Sequence, residues 1–138
     1  MTKGKIIKIL SVEDDEFMRI FLRDVFWIHG GEGFEMLMAR NISEARDFLG
    51  KDTPDIIFLD MVLPDREGGE LSAKNGLGFL DEIKSNPALK GINVIVFSGY
   101  TDADAKKIAL KKGADLFLVK GEHLPKELVD ATEKMLRK

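Results

Sequence analysis

A carboxylate pair at Glu13-Asp14, a single acid at Asp60, a hydroxyl at Ser98 and an amine at Lys120 each stand directly after a short apolar run. Brought to one place, such a set could hold a divalent cation and handle a phosphoryl group. Carboxylates within several ångströms of one another repel by roughly 4 kcal/mol per pair at 4 Å and an effective dielectric of 20, so positive charge must join them. With no cysteine in the chain and no histidine beside these acids, the donors are oxygens only, which suits Mg2+, with Mn2+ as the alternative. Lys120 adds a point charge for a carboxylate or phosphoryl oxygen, and Ser98 adds a donor for an oxyanion. Taken singly, each has an ordinary role: Asp14 or Asp15 as a helix cap, Asp60 and Ser98 as turn residues, Lys120 as a solvated strand end. Convergence decides between these roles, and convergence depends on the elements that position the side chains.

Residues 6–12 are rich in β-branched side chains and predict a first strand, stopped by Glu13-Asp14-Asp15-Glu16 at the start of a helix, where negative charge suits the dipole. Phe17, Ile20, Phe21, Val25 and Ile28 recur at helical spacing and predict that helix's apolar face, ending near Gly30-Gly31. Residues 34–39 predict a second strand, and Ser43 is expected to cap a second helix carrying Ala45, Phe48 and Leu49, stopped by Gly50. The unbroken run Ile56-Ile57-Phe58-Leu59 suits a central strand buried on both faces, and it stops on Asp60. Pro64-Asp65-Arg66-Glu67-Gly68-Gly69 is turn chemistry, and a third helix is predicted over 76–84 with Leu77, Leu80 and Ile83 inward. An earlier start would place Gly76 and Gly78 in the helix interior at about 1 kcal/mol each relative to alanine, so 65–74 is expected as a long loop. A fourth strand over 92–97 ends at Ser98, and Thr101-Asp102-Ala103-Asp104 resembles a capping box for a helix running to Lys112 and ended by Gly113. Residues 116–119 predict a short fifth strand before Lys120, and Pro125 opens a last helix with Leu128, Val129 and Met135.

Strands alternating with helices imply a parallel sheet covered on both faces by right-handed crossovers. The expected fold is α/β, a flavodoxin-like (βα)5 doubly wound sandwich with strand order 2-1-3-4-5. The topological switch then lies between strands one and three, so Glu13, Asp14 and Asp60 should meet at the carboxyl edge of the sheet. A chain of 138 residues with 44% hydrophobic and 33% charged residues fits one domain, 1–138, and its net charge of −3 favours neither nucleic acid nor an anionic membrane. Lys8 interrupts the only short apolar run near the N-terminus, so no signal peptide is expected, and no apolar stretch is long enough to span a bilayer. A cytoplasmic location is the expectation.

Over essentially its whole length the chain resembles the receiver domain of two-component response regulators. The resemblance rests on Val12-Glu13-Asp14-Asp15, Leu59-Asp60-Met61-Val62-Leu63-Pro64, Val96-Phe97-Ser98-Gly99 and Phe117-Leu118-Val119-Lys120, in that order. It implies a phosphoacceptor Asp60, supplied by a histidine kinase or a histidine phosphotransfer protein. It also implies Mg2+ held by Glu13, Asp14, Asp60 and the Val62 backbone carbonyl, with Ser98 and Lys120 on the phosphoryl oxygens. Val62 and Tyr100 would flank the hydrolytic water, and their bulk implies slow dephosphorylation. Ser98 and Phe117 would form the switch pair, with the Phe117 ring inward because it lacks the hydroxyl of the tyrosine frequent there.

Two features depart from that family's pattern. The loop between Pro64 and Gly76 is much longer than usual, and Lys120 is followed by Gly121 where proline is common, leaving the geometry of Lys120 open. The chain ends one helix after Lys120, so the expected output is a downstream protein met by the fourth helix, fifth strand and fifth helix, with no direct nucleic-acid contact and no membrane; a homodimer is compatible. Its only catalysis would be of its own phosphorylation and dephosphorylation. The alternative is a receiver-like interaction module that works without phosphorylation. A haloacid-dehalogenase-type phosphatase ranks last, because that class wants a second acid where Val62 stands.

Overall fold

The computed structural model describes residues 6–99 and 104–136. In chain order these form β1 (Ile7–Val12), α1 (Glu16–Gly30), β2 (Phe34–Ala39), α2 (Ile42–Lys51), β3 (Ile56–Leu59), α3 (Ala73–Ser85), β4 (Asn93–Ser98), α4 (Ala105–Lys111), β5 (Leu116–Val119) and α5 (Pro125–Leu136), with a 3-10 turn at Gly31–Gly33. The sheet is parallel throughout with order β2-β1-β3-β4-β5, the expected one.

Alternation along each strand builds two apolar layers. Leu10, Val12, Ile57, Leu59, Val94, Val96 and Phe117 face α2, α3 and α4, meeting Ala45, Phe79, Leu80, Ile83 and Ala109. Ile9, Ile56, Phe58, Ile95, Phe97 and Leu118 face α1 and α5, meeting Leu22, Val25, Phe26, Leu128 and Val129. All four residues of β3 are buried, as a strand covered on both sides requires. Among the described residues no helix is long and apolar enough to cross a membrane.

Three local expectations are corrected. Of the predicted face of α1, Val25 is buried and Phe21 packs against the same layer, but Phe17, Ile20 and Ile28 are exposed, and Leu22 and Phe26 are buried in their place. Met18, Leu22, Val25 and Phe26 form a second stripe at helical spacing, and the sheet takes that one because Phe26 sets its ring edge-on to Phe34 and Phe58, with centroids 5.0 and 5.6 Å apart. Helix α2 is capped by Asn41, whose side chain accepts from the Glu44 N–H at 2.8 Å, rather than by Ser43, and it continues past Gly50. The Ser43 N–H instead donates to Asp65 O at 2.8 Å, and the Ile42 N–H to Pro64 O at 3.3 Å, so the long loop satisfies amides of the first turn.

Helix α3 begins at Ala73, ahead of the predicted start, with Ser72 capping the Lys74 N–H at 3.1 Å. Both glycines lie inside it. At Gly76 the glycine is required, since a Cβ there would come within 2.1 Å of Met61 O. The loop preceding α3 is closed at its base by an antiparallel bridge in which Leu63 and Ser72 exchange N–H···O bonds of 3.3 and 3.2 Å. Asn75 reinforces it, donating to Leu63 O at 2.7 Å and Glu70 O at 3.1 Å. Most of the expected capping box ahead of α4, together with Tyr100, lies outside the described residues.

Candidate functional site

Register brings the acids together. Val12 pairs with Leu59 across β1 and β3, so the residues that follow each strand, Glu13 and Asp60, leave the sheet side by side. The backbone holds them: the Glu13 N–H donates to Ala39 O at 2.9 Å and the Asp60 N–H to Val12 O at 3.1 Å. Glu13 and Asp60 are buried and Asp14 is half-buried, and one carboxylate oxygen from each lies within 4.8 Å of the others. A cluster of oxygen donors this tight fits a hard divalent cation.

Lys120 arrives from the other side of the switch point. Val119 pairs with Ser98, and the Lys120 N–H donates to Ser98 O at 2.9 Å, which fixes where the side chain sets out. Its Nζ lies 2.5 Å from Glu13 Oε1 and 3.1 Å from Asp60 Oδ2. Gly121 follows at φ 85°, a left-handed turn that glycine adopts without strain, and Lys120 is held by both acids. The geometry left open by the missing proline is therefore an ordered ion-paired one.

The electrostatics reflect crowding. Burial, and next the Asp60 charge, push the Glu13 carboxyl up to about 7 against the pull of Lys120. Burial also raises Asp14, with Asp60 adding to it. Burial pulls the Lys120 amine down, but its bond to Glu13 and the charges of Asp60 and Glu13 outweigh that and raise it. One amine thus faces three acids, and the edge has room for further positive charge.

Three further predicted residues, Ser98, Val62 and Phe117, lie among the described ones. Ser98 is fully buried at the end of β4. Val62 is half-buried in the bend that leaves Asp60, and Phe117 is buried in the layer facing α3 and α4. Asp15 serves as the α1 cap, accepting from the Phe17 N–H at 3.1 Å, while its own N–H donates to Glu13 Oε2 at 3.2 Å.

Arg19 escaped the sequence reading. Its Nη1 donates to Glu13 O at 2.9 Å and Asp14 O at 2.8 Å, clamping the two carbonyls of the turn that presents the acids. The only signal was an arginine just over one turn into a helix that opens on acids, a position that charge alone assigns to solvent.

A family model for the response regulator receiver domain matches residues 9–133. The sporulation initiation phosphotransferase F of Bacillus subtilis (strain 168) is 31% identical over 129 residues, covering 94% of this chain and 93% of its own length. The chemotaxis protein CheY of Halobacterium salinarum is 32% identical over 130 residues, covering 94% of this chain and 96% of its own. Among solved structures, the signal receiver domain of a DNA binding response regulator from Colwellia psychrerythraea 34H superposes with a TM-score of 0.79 at 25% identity, over 95% of this chain and 98% of that one. The Mn2+-bound form of the response regulator Rcp1 gives a TM-score of 0.76 at 25% identity, over 96% of both chains.

Proposed function

Because the chain belongs to the response regulator receiver domain family, we propose that it is a phosphoacceptor in a two-component or phosphorelay pathway, modified on Asp60. The observation that carries this reading is the ion-paired edge: Asp60 lies among two further acids and one lysine whose Nζ reaches both it and Glu13. An Asp60 carboxylate oxygen attacks the phosphorus of a partner's phosphohistidine. The new P–O bond forms as the P–N bond breaks, and the leaving imidazole takes up a proton. Lys120 moves from carboxylate to phosphoryl oxygen as charge builds there, and Ser98 donates its hydroxyl to another. Mg2+ would be held by Glu13, Asp14, Asp60 and the Val62 carbonyl and would supply neutralisation of the transferred group; the oxygen-only set of Glu13, Asp14 and Asp60 fits it, and Mn2+ fits the same donors.

The phosphoryl donor is a histidine kinase or a histidine phosphotransfer protein, acting in the cytoplasm. Output passes to a protein partner on the face of α4, β5 and α5, where Ile108, Leu110 and Leu124 are exposed. Ser98 and Phe117 couple the edge to that face, and Val62 with Tyr100 slows loss of the phosphoryl group.

The test is intact mass before and after incubation with Mg2+ and a small phosphodonor such as acetyl phosphate, followed over time after the donor is removed. The parent is expected to gain one phosphoryl mass and lose it slowly, Val62→Asn to lose it faster, and Asp60→Asn to gain none. No added mass with any donor, a phosphorylated histidine kinase included, would leave the phosphorylation-independent interaction module as the better account.

A further inference from the structure

The stripe of α1 that the sheet does not take is strongly apolar. Phe17, Ile20, Trp27 and Ile28 are 82%, 37%, 65% and 71% exposed. At 3.6 residues per turn they share an arc of roughly 100°, opposite the buried Leu22, Val25 and Phe26. Aromatic side chains carry about 150–250 Å2 each, so with the isoleucines the stripe offers roughly 500–600 Å2 of apolar surface, the upper end of what one monomer exposes in a single patch. Two such patches laid together would remove about 1,000–1,200 Å2 from water, the lower end of a specific protein interface.

We propose that α1 pairs antiparallel with α1 of a second copy of this chain, forming a two-fold dimer. The charges on the helix select that occupant. Arg23 and Asp24 stand at its middle, and within one chain Arg23 Nε and Nη2 lie 3.2 and 3.1 Å from Asp24 Oδ1, with both side chains about half exposed. A two-fold axis between positions 23 and 24 sets Arg23 beside the partner's Asp24, and the reverse, so two ion pairs form at the centre of the contact. The same axis lays Ile20 against the partner's Trp27, and Trp27 against the partner's Ile20, closing an apolar zone on each side. At the middle of the helix the exposed Arg23 and Asp24 balance in charge and are self-complementary, which suits an isologous contact better than a strongly charged foreign surface. Antiparallel alignment also opposes the two helix dipoles favourably.

The test is sedimentation equilibrium of the full chain from about 1 μM to about 1 mM, the range in which an interface of this size should dissociate. Trp27 is the only tryptophan, so its emission reports the same contact. The expected result is a mass rising from one chain toward two, with a blue shift of the emission over the same concentrations. Ile20→Glu should abolish both. R23D and D24R should each weaken association at least tenfold, because each sets like charges face to face, and the combined variant R23D/D24R should recover the parent's behaviour within a few-fold. Circular dichroism confirms that each variant stays folded, which these exposed positions allow. A single-chain mass up to 1 mM would overturn the proposal and assign the stripe to a different protein. A dimer indifferent to Ile20→Glu, or a double charge swap no better than the single ones, would overturn it equally.

Discussion

Glu13 carries the charge balance of the edge. Its carboxyl is raised from 4.5 to about 7 by burial and by Asp60, so the folded protein holds a proton there that the unfolded chain releases between those values. Stability of the metal-free fold therefore falls as pH rises through that window. Lys120 acts at the other end of the scale: its raised amine contributes stability that is present below its ordinary value of 10.5 and lost as pH climbs beyond it. In the proposed site a divalent cation would need Glu13 ionised, and binding it would release the proton. Mg2+ affinity should thus rise by about tenfold per pH unit below 7 and level off above, as read by calorimetric titration across that range. Glu13→Gln should flatten the dependence while lowering the plateau, and Asp60→Asn should shift the inflection downward, because the second largest cause of the raised value is gone. The acids themselves were legible in the sequence, since each ended an apolar run. The protonation of Glu13 and the grip of Arg19 on its carbonyl were not, because both depend on what surrounds the turn rather than on what composes it.

Local chemistry predicted the elements better than it predicted their edges and faces. The strands were readable because β-branched runs stopped on polar residues, and a parallel sheet covered on both faces followed from chirality and alternation. Helix α1 misled because it carries two apolar stripes, and periodicity cannot say which one a sheet with Phe34 and Phe58 on that face will accept. The start of α3 misled through propensity: Gly76 and Gly78 weigh against a helix, yet tertiary packing keeps them inside one. The two glycines differ in a way that can be measured. A Cβ at Gly76 would lie 2.1 Å from Met61 O and 2.5 Å from Met61 Cα, whereas one at Gly78 meets nothing within 4 Å. Gly76→Ala should destabilise by about 2 kcal/mol or more, as backbone next to Asp60 must shift, and it should weaken Mg2+ binding with it. Gly78→Ala should instead stabilise by up to about 1 kcal/mol with Mg2+ binding unchanged. Urea denaturation of the three proteins reads the two signs directly.

At the scale of the whole molecule, the arrangement places unfavourable charge where the fold is open. Strand order β2-β1-β3-β4-β5 makes neighbours of β1 and β3, whose helices leave to opposite faces, so a crevice opens above their carboxyl ends and receives the three acids. The two packed layers fix those acids at a separation the side chains alone would not choose, and the repulsion is borne by the core. A cation that bound only the folded edge, as proposed, would offset it, stabilising by about 2.7 kcal/mol at a hundredfold excess over its dissociation constant. Thermal unfolding at pH 8 should therefore move up by several degrees in saturating Mg2+, and by much less in NaCl of matched ionic strength, since specific ligation rather than screening is at work. Asp60→Asn should unfold at the same temperature as the parent or higher without Mg2+, having lost one of the mutually repelling charges, and should gain less when the ion is added. An Asp60→Asn protein that gained as much as the parent would place the ion away from the sheet edge, and with it the charge that the proposed phosphoryl transfer to Asp60 requires.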